Sequence, residues 1–300
     1  MYDVIIIGGG PAGLSAGLYC GRLNLKTLIL TKTLGGQVSY TSEIENYLGV
    51  DRMSGVELVE KFYKQVQNVG VEIKFEPVTK IESGDVIKVY GNKIYEAKTL
   101  IIATGRKPRL LGVEGEGKFL GRGVSTCAVC DGPLYKDKVV AVVGGGNSAL
   151  DAVYYLSKIA KKVYLIHRRN EFRAYEFMVK KALSKKNVVK KTPYVIKRIL
   201  GDKKVEAIVI ENRDTQKESK IKVDGVFVEI GYDVESSLYE GIVDTNEKGE
   251  ILIDVDCRTS EKNIFAAGDV TSCTHKQAII AAGDGAKAAL SAADYLSRQK

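Results

Sequence analysis

Two glycine-rich turns, each set between an apolar run and a helical pattern, constrain the fold of this chain most. The first reads Gly8-Gly-Gly-Pro-Ala-Gly13 after the apolar run 4–7, and the second reads Gly144-Gly-Gly-Asn-Ser-Ala149 after 139–143. Glycine lets the backbone lie against a pyrophosphate, and the free N–H groups of the following helix attract negative charge. A single match could be a tight turn without a ligand, but two in this context predict two dinucleotide-binding units.

The size and composition fit a two-domain globular protein. The chain has 300 residues, of which 45% are hydrophobic and 27% are charged, which is enough for two cores. The N-terminus enters a strand directly, without a basic leader, and no long apolar helix is visible. These features predict a cytoplasmic protein that does not enter the membrane.

The order of the predicted elements indicates how the two units are connected. A capping box at Ser54-Gly-Val-Glu57 begins a helix that Gly70 stops. Further segments follow the second glycine turn: a helix at about 148–160, a strand at 163–166, hairpin strands within 192–230, a strand at 252–265 and a final helix at about 277–296. The pattern predicts an α/β fold with two Rossmann-like domains in three layers, the second inserted in the first. The predicted boundaries are 1–111 and 239–300 for the first domain, and 112–238 for the inserted one.

The positive charge is concentrated in one part of the chain. Residues 158–204 contain sixteen Lys or Arg and three acids, so this segment carries +13 while the net charge of the whole chain is +8. Such asymmetry indicates an anionic ligand or partner. We do not expect nucleic acid, because the charges lie on helix and hairpin patterns and no nucleic-acid-binding module is visible.

Five cysteines are present, and two of them form the segment Cys127-Ala-Val-Cys130 directly before Asp131. Two thiols one helical turn apart can form a disulfide, and an adjacent carboxyl can transfer the proton that thiol chemistry needs. A zinc site is not expected, because His167 and His275 are the only histidines and no second cysteine pair exists. A redox pair and two inert buried thiols both remain open at this point.

The residues that follow the second strand of each unit indicate how a ribose is bound. In the second unit the strand is followed by His167-Arg168-Arg169, with Arg173 one turn later, and guanidiniums suit a 2′-phosphate. This pattern favours NADPH over NADH, although Glu171 is a mild counter-signal. The first unit has Thr31-Lys32 at this point, so its ribose contact is not identified. Asp269 could accept a hydrogen bond from a hydroxyl of a polyol chain.

Together these motifs resemble the low-molecular-weight thioredoxin reductases, and the resemblance covers nearly the whole chain. The motifs stand in the order and spacing of that family, and CxxCD ahead of the second glycine turn is the most specific. They are GGGPAG, GGQ, Glu45-Asn46-Tyr47, ATG, CAVCD, GGGNSA, HRRxxFR, AAGD and Lys276-Gln277-Ala278.

The resemblance implies FAD and NADPH as cofactors, a homodimer, and a thioredoxin-like acceptor. It implies that Cys130 faces the flavin, that Cys127 attacks the partner, and that Asp131 is the general acid. The residues implied to bind FAD are Gly8, Gly10, Pro11, Ala12, Gly13, Gly35, Gly36, Gln37, Asn46, Thr104, Gly105, Gly268, Asp269, Val270, Lys276, Gln277 and Ala278. Those implied to bind NADPH are Gly144, Gly146, Asn147, Ser148, Ala149, His167, Arg168, Arg169 and Arg173.

Three positions depart from the family pattern, and several alternatives stay open. Lys276 stands where Arg is usual, Asp151 where Glu is usual, and Gly231-Tyr-Asp-Val234 replaces a segment that usually contains proline. The alternatives are a relative that takes electrons from NADH, ferredoxin or a deazaflavin, one with another small redox-protein acceptor, and the reductase of a peroxidase system. A flavin-bound redox sensor is the alternative that is not an enzyme.

Overall fold

Alternate residues of the first strand point into two different cores, which shows that both faces of its sheet are covered. Val4 and Ile6 belong to one buried cluster, and Ile5 and Ile7 to another. This is the pattern of a parallel sheet packed on both sides. The computed structural model describes residues 1–41 and 43–299.

The chain folds into two compact units. The first contains Met1–Tyr40, Tyr47–Lys107 and the chain from Asp233 onward, and the second contains Thr41–Asn46 and Pro108–Tyr232. The chain therefore contributes the short segment 41–46 to the second unit, leaves the first unit again at Pro108, and returns to it at Asp233.

The first unit begins with β1 (Tyr2–Gly9), α1 (Pro11–Arg22), β2 (Thr27–Leu34), α2 (Gly55–Asn68), β3 (Glu72–Phe75), β4 (Lys80–Glu82), β5 (Ile87–Tyr90) and β6 (Ile94–Ile102). The predicted capping box is confirmed, because the Ser54 side chain accepts from the backbone N–H of Glu57, whose carboxylate accepts from the backbone N–H of Ser54. Gly70, with a φ of +74°, follows α2.

The second unit contains β7 (Lys107–Pro108), which begins at its boundary, α3 (Glu116–Phe119), β8 (Val124–Ser125), α4 (Ala128–Asp131), β9 (Val139–Val143), α5 (Asn147–Leu156), β10 (Lys162–Ile166), α6 (Glu176–Leu183), β11 (Val188–Lys191), β12 (Tyr194–Gly201), β13 (Val205–Asn212), β14 (Glu218–Lys222) and β15 (Gly225–Val228). The chain then returns through β16 (Tyr232–Asp233), β17 (Ile264–Ala266) and α7 (Ala278–Ser297).

The two parallel sheets have the same strand order. In the first unit it is β3-β2-β1-β6, where β17 pairs with the C-terminal end of β6 and the antiparallel strands β5 and β4 continue the sheet from its N-terminal part; in the second unit it is β11-β10-β9-β15-β8. In each unit the strand that precedes the glycine turn, β1 or β9, is central, and the turn leaves its carboxyl end, where such sheets bind nucleotides.

Each parallel sheet is the middle of three layers. In the first unit α1 and α7 cover one face, and the antiparallel strands β4 and β5 with the segment around Tyr239 cover the other. In the second unit α5 and α6 cover one face, and the antiparallel sheet β12-β13-β14 covers the other. The predicted fold class is confirmed: α/β, with two Rossmann-like units, the second inserted in the first.

One predicted strand is largely wrong. Of the segment 252–265, only the last residues form β17, and the chain before it is built from turns. The Asp254 carboxylate accepts from the backbone N–H groups of Asp256 and Arg258, each at 2.9 Å. Such local bonds give the backbone an alternative to strand pairing. Among the described residues, no helix combines the length and apolar character needed to cross a membrane.

Candidate active site and cofactor cradles

In the first glycine turn, Gly8 and Gly13 leave no room for a side chain, whereas Gly10 faces open space. Gly8 has a φ of +117°, and a Cβ on it would lie 2.2 Å from the Ala103 carbonyl oxygen. A Cβ on Gly13 would lie 1.9 Å from the Gly8 carbonyl oxygen. Gly10, the N-cap of α1, has no atom near its Cβ position and supplies no side-chain cap. The helix N-terminus therefore keeps free N–H groups, which suit a pyrophosphate.

Helix α7 approaches this turn closely. A Cβ on Gly285 would lie 2.0 Å from the Ala12 carbonyl oxygen, and one on Gly268 would lie 2.9 Å from the Ala12 Cβ. The small residues thus bring the segment that carries Asp269 against the start of α1.

Asp269 is held among polar and cationic groups. Its carboxylate accepts from Gln37 Nε2 at 3.3 Å, and Arg106 Nε lies 3.3 Å away. Burial raises the pKa of this carboxyl, and the positive charges of Arg106 and Lys276 partly oppose the shift. Arg106 is not among the residues predicted from the sequence, although it directly follows the ATG motif.

Lys276 fixes the backbone of the same loop. Its ammonium donates to the carbonyls of Asp269, at 3.3 Å, and of Thr271, and lies 3.6 Å from the Glu250 carboxylate. Burial lowers the pKa of this ammonium, while Glu250 and Asp269 act in the opposite direction. Glu250 was also missed, because nothing in its sequence context indicates a partner.

A buried polar atom in the first unit is available to pair with a ligand. The Oγ1 of Thr104 is buried and has no hydrogen-bond partner among the described residues. A buried hydroxyl without a partner is costly, so a ligand atom that pairs with it stabilises the site. Together with the uncapped helix α1, this fits a flavin dinucleotide.

Of the other residues predicted to bind FAD, all but one belong to the same unit as this cradle. Gly36 approaches Gly10, since a Cβ on Gly36 would lie 3.7 Å from the Gly10 Cα. Gln277 is the N-cap of α7 and Ala278 its first residue. Asn46 falls in the segment 41–46, which belongs to the second unit. The remaining residues of the prediction, Pro11, Gly35, Gly105 and Val270, belong to the first unit.

The second glycine turn repeats the geometry of the first. A Cβ on Gly144 would lie 2.3 Å from the Glu229 carbonyl oxygen and 2.6 Å from the Ala149 Cβ. Gly146 is the N-cap of α5, with open space before it and no side-chain cap. Asn147, Ser148 and Ala149 form the first turn of α5.

The arginine-rich loop after β10 is tied to this turn by its backbone. The N–H groups of Arg173 and Ala174 donate to the Gly145 carbonyl at 2.8 and 3.2 Å, and the N–H of Tyr175 donates to Asn147 Oδ1 at 3.0 Å. The side chains predicted to bind a phosphate are exposed, and none forms an ion pair with a carboxylate of the described chain: Arg168, Arg169 and Arg173. Unpaired guanidiniums beside an uncapped helix fit a 2′-phosphorylated dinucleotide.

His167 has a different position from its arginine neighbours. Its ring is buried, stacks on Phe172 at 5.2 Å, and would lie 2.2 Å from a Cβ on Gly145. Its Nε2 lies 3.0 Å from the Glu171 carbonyl oxygen. Burial lowers the pKa of His167, and the neighbouring arginines add to the shift. The ring packs beneath the glycine turn, and its predicted role in NADPH binding stays a prediction.

The two cysteines of the CAVC segment form a disulfide. The Cα atoms of Cys127 and Cys130 are 5.3 Å apart, and Cys127 is the N-cap of the short helix α4. The Ser125 hydroxyl accepts from the backbone N–H of Cys127 at 3.1 Å. The other cysteines, Cys20, Cys257 and Cys273, are free thiols.

Asp131 can hold a proton beside this disulfide. Burial raises the pKa of its carboxyl, and a hydrogen bond from Ser125 acts in the opposite direction. Its Oδ1 is buried and has no hydrogen-bond partner among the described residues. A carboxyl of raised pKa keeps its proton closer to neutral pH, which is what a general acid needs.

Glu229 connects the disulfide to the second glycine turn, and the sequence analysis missed it. Its Oε1 accepts from the backbone N–H of Ala128 at 3.4 Å, and its carbonyl oxygen lies behind Gly144. Its signal in the sequence is its position directly after the buried strand β15. One residue thus positions both α4, the helix that carries the redox cysteines (the redox helix), and the second glycine turn.

The comparisons with known proteins agree over the whole chain. A family model described as "Pyridine nucleotide-disulphide oxidoreductase" matches residues 2–285. The chain is 41% identical to a thioredoxin reductase of Helicobacter pylori over 308 residues, which cover 99% of each protein. A solved thioredoxin reductase from Streptococcus pyogenes superposes with a TM-score of 0.96 at 42% identity, and one from Giardia duodenalis with 0.92 at 38%; each match covers 99% of both chains. On this agreement, the chain belongs to the pyridine nucleotide-disulphide oxidoreductases, among the low-molecular-weight thioredoxin reductases, whose cofactors are FAD and NADPH.

Proposed function

We propose that this chain transfers electrons in pairs from NADPH to the disulfide of thioredoxin or a thioredoxin-like small redox protein. The observation that carries the proposal is the Cys127–Cys130 disulfide, next to Asp131, whose pKa is raised by burial, in the unit that also contains the second cradle. The domains are proposed as predicted, with 1–111 and 239–300 for FAD and 112–238 for NADPH.

A bound FAD would supply the redox chemistry that links a hydride donor, the nicotinamide, to the sulfurs of the disulfide. In the first unit, the N-terminus of α1 would hold the pyrophosphate. Asp269 would accept a hydrogen bond from a hydroxyl of the ribityl chain. In the second unit, the N-terminus of α5 would hold the pyrophosphate, and Arg168, Arg169 and Arg173 the 2′-phosphate.

Cys127 is the proposed attacking sulfur. The backbone N–H of Cys130 points to Cys127 Sγ at 3.2 Å, and such a donor stabilises a thiolate at this position once the disulfide is reduced. The Cys127 sulfur bonds to one sulfur of the partner's disulfide, the partner's S–S bond breaks, and its second sulfur leaves as a thiolate.

Cys130 completes the exchange. Its sulfur attacks Cys127, the Cys127–Cys130 bond forms again, and the partner's first sulfur leaves. The partner has then gained two electrons, and its two thiolates take up two protons. Asp131 is proposed to supply one of them, because its raised pKa lets it carry a proton near the sulfurs.

The retained arginines argue against the alternative electron donors. Ferredoxin and deazaflavins carry no 2′-phosphate for three unpaired guanidiniums to bind, and NADH lacks one too. We further infer a homodimer in the cytoplasm, on the resemblance to the family alone. Analytical ultracentrifugation of the FAD-loaded protein tests the dimer, and a single species at the 32.7 kDa mass of one chain contradicts it.

An anaerobic titration of the FAD-loaded protein tests the proposed function. NADPH should bleach the flavin absorbance at lower concentration than NADH. Oxidised thioredoxin, added next, should restore the absorbance, and two thiols should appear on it for each NADPH consumed. Bleaching without restoration by any thioredoxin would leave the redox-sensor alternative in place. Failure of NADPH to bleach the flavin would exclude the proposed donor.

A further inference from the structure

Three lysine ammoniums converge on one aromatic ring in the second unit. The Nζ atoms of Lys181, Lys158 and Lys185 lie 4.2, 4.4 and 5.1 Å from the centre of the Tyr154 ring. In the described part of the chain, none of the three forms an ion pair with a carboxylate. These three lysines and Tyr154 are called the lysine cluster below.

This arrangement concentrates unneutralised positive charge at one spot. Each ammonium is attracted to the electron-rich face of the ring, but three like charges held around one ring repel one another. An anionic group placed among them relieves that repulsion. The cluster also lies in the segment 158–204, whose net charge is +13, so the surrounding surface adds to the attraction.

The lysine cluster is separate from the proposed dinucleotide cradle. That cradle lies at the N-terminus of α5, at Gly146 and Asn147, whereas Tyr154 lies near the C-terminal end of the helix. Tyr154 follows Asn147 by seven residues, which is roughly 10 Å along a helix axis. The 2′-phosphate therefore does not account for these three charges.

The cluster and the helix α4, which carries the redox cysteines, approach the same end of α5. Gly132 directly follows Asp131, and a Cβ on it would lie 2.7 Å from the Tyr155 ring and 3.2 Å from Leu156 Cδ2. The redox helix thus ends against the same end of α5 that carries Tyr154. Between the two cysteines, Val129 is 56% exposed. A standard protein interface covers about 800 Å² on each partner, enough for one partner to touch both Val129 and the lysine cluster.

We propose that the lysine cluster is a docking surface for a carboxylate-rich face of the redox protein that this enzyme reduces. The inference rests on the proposed function and names the surface chemistry of its partner. Val129 and the disulfide form the contact at which sulfur is exchanged, and the lysines steer the acidic face toward it. Charges at the rim of an interface act mainly on the association rate and on its salt dependence.

Two triple variants with equal charge change test this surface. The first is Lys158→Glu, Lys181→Glu and Lys185→Glu. The matched control is Lys203→Glu, Lys204→Glu and Lys222→Glu, three exposed lysines of the same unit at its antiparallel sheet, none of them ion-paired within the described residues. Each set lowers the net charge by six, so a difference between them reports position and not total charge. Thermal unfolding and NADPH reduction of a small quinone verify that both holoenzymes are folded and active.

The cluster variant should lose roughly tenfold or more in kcat/KM for an acidic thioredoxin at low salt, within the range of electrostatic steering. It should keep its kcat and its quinone activity, and its kcat/KM should depend less on salt than that of the control. Equal kcat/KM and equal salt dependence in the two triple variants would overturn the proposal.

A binding measurement separates this inference from the proposed function. Fluorescent poly-L-glutamate should bind the FAD-loaded wild type and the control variant, and bind the cluster variant more weakly. Equal binding to both variants would overturn the docking surface, as would tighter binding of a single-stranded oligonucleotide than of poly-L-glutamate at the cluster. If the wild type did not reduce thioredoxin, but poly-L-glutamate still bound the control variant more tightly than the cluster variant, the proposed function would be refuted and the docking surface would not.

Discussion

The backbone nitrogen of Cys130 lies 3.2 Å from the sulfur of Cys127, so the two redox residues are not equivalent. Cys127 is the N-cap of α4 and its sulfur accepts this N–H, whereas Cys130 is a residue within the helix. A thiolate is stabilised by a backbone donor at a helix start. The geometry therefore favours Cys127 as the sulfur that attacks from the reduced state.

Single serine variants should separate the roles of the two cysteines. Cys130→Ser keeps Cys127. It should form a stable mixed disulfide with a thioredoxin that lacks its resolving cysteine and carries an activated aryl disulfide on its attacking cysteine. Cys127→Ser should form none, but should show the long-wavelength absorbance of a thiolate beside the flavin. Mass spectrometry and absorbance check the two outcomes, and a mixed disulfide confined to Cys127→Ser would reverse the assignment.

Replacement of Asp131 by asparagine should slow turnover while stabilising the fold. The variant lacks the proton carrier, and loss of a general acid costs about 10²–10⁴ in rate. Burial raises the pKa of Asp131 in the folded state, so its favourable contribution to stability is present at low pH and lost as pH rises through that pKa. At neutral pH the buried charge is unfavourable, and asparagine removes it.

Stopped-flow measurement of thioredoxin reduction and calorimetry from pH 5 to 8 check both effects of Asp131→Asn. The midpoint of unfolding of the variant should exceed that of the wild type by more at pH 8 than at pH 5. The control is Asp151→Asn, an exposed carboxylate on α5 of the same unit. Unchanged rates in Asp131→Asn would exclude the carboxyl as the acid.

Removal of the arginines after β10 should change the choice of dinucleotide. Hydrogen bonds to charged groups contribute about 1.5–3 kcal/mol each, so Arg168→Ala and Arg169→Ala should each raise the KM for NADPH by roughly tenfold or more. The KM for NADH should change little, since NADH carries no 2′-phosphate. Arg122→Ala, at an exposed arginine elsewhere in the unit, is the control. An equal rise in KM for both dinucleotides would indicate that the variant loop is misfolded, and would not support a contact between these arginines and the 2′-phosphate.

The sequence predicted the parts of the site that depend on local backbone chemistry. The two glycine turns and the CxxC pair are readable because strand, glycine and helix must follow in that order for the backbone to approach a phosphate. The positions of Glu229 after β15 and of Arg106 after the ATG motif do not identify their partners Ala128 and Asp269, which are 101 and 163 residues away. The strand expected at 252–265 fails for a related reason, because Asp254 bonds to its own turn and no pattern of hydrophobicity reports that bond.

Two glycines of α7 provide a final test of the first cradle, since they differ only in what lies opposite them. A Cβ on Gly285 would lie 2.0 Å from the Ala12 carbonyl oxygen, whereas one on Gly283 would meet nothing within 4 Å. Gly285→Ala should therefore push α7 away from α1, and overpacking of this kind costs about 1–3 kcal/mol. Gly283→Ala should stabilise the helix by up to about 1 kcal/mol, because alanine is the better helix former.

Thermal unfolding of the two glycine variants and their FAD content after purification check this expectation. Gly285→Ala should unfold at a lower temperature and lose FAD, because the N-terminus of α1 and the Asp269 loop no longer approach each other as closely. Gly283→Ala should keep its FAD and unfold at the same temperature or higher. Full FAD content in Gly285→Ala would show that the close approach of α7 to α1 serves packing alone and not the cofactor cradle.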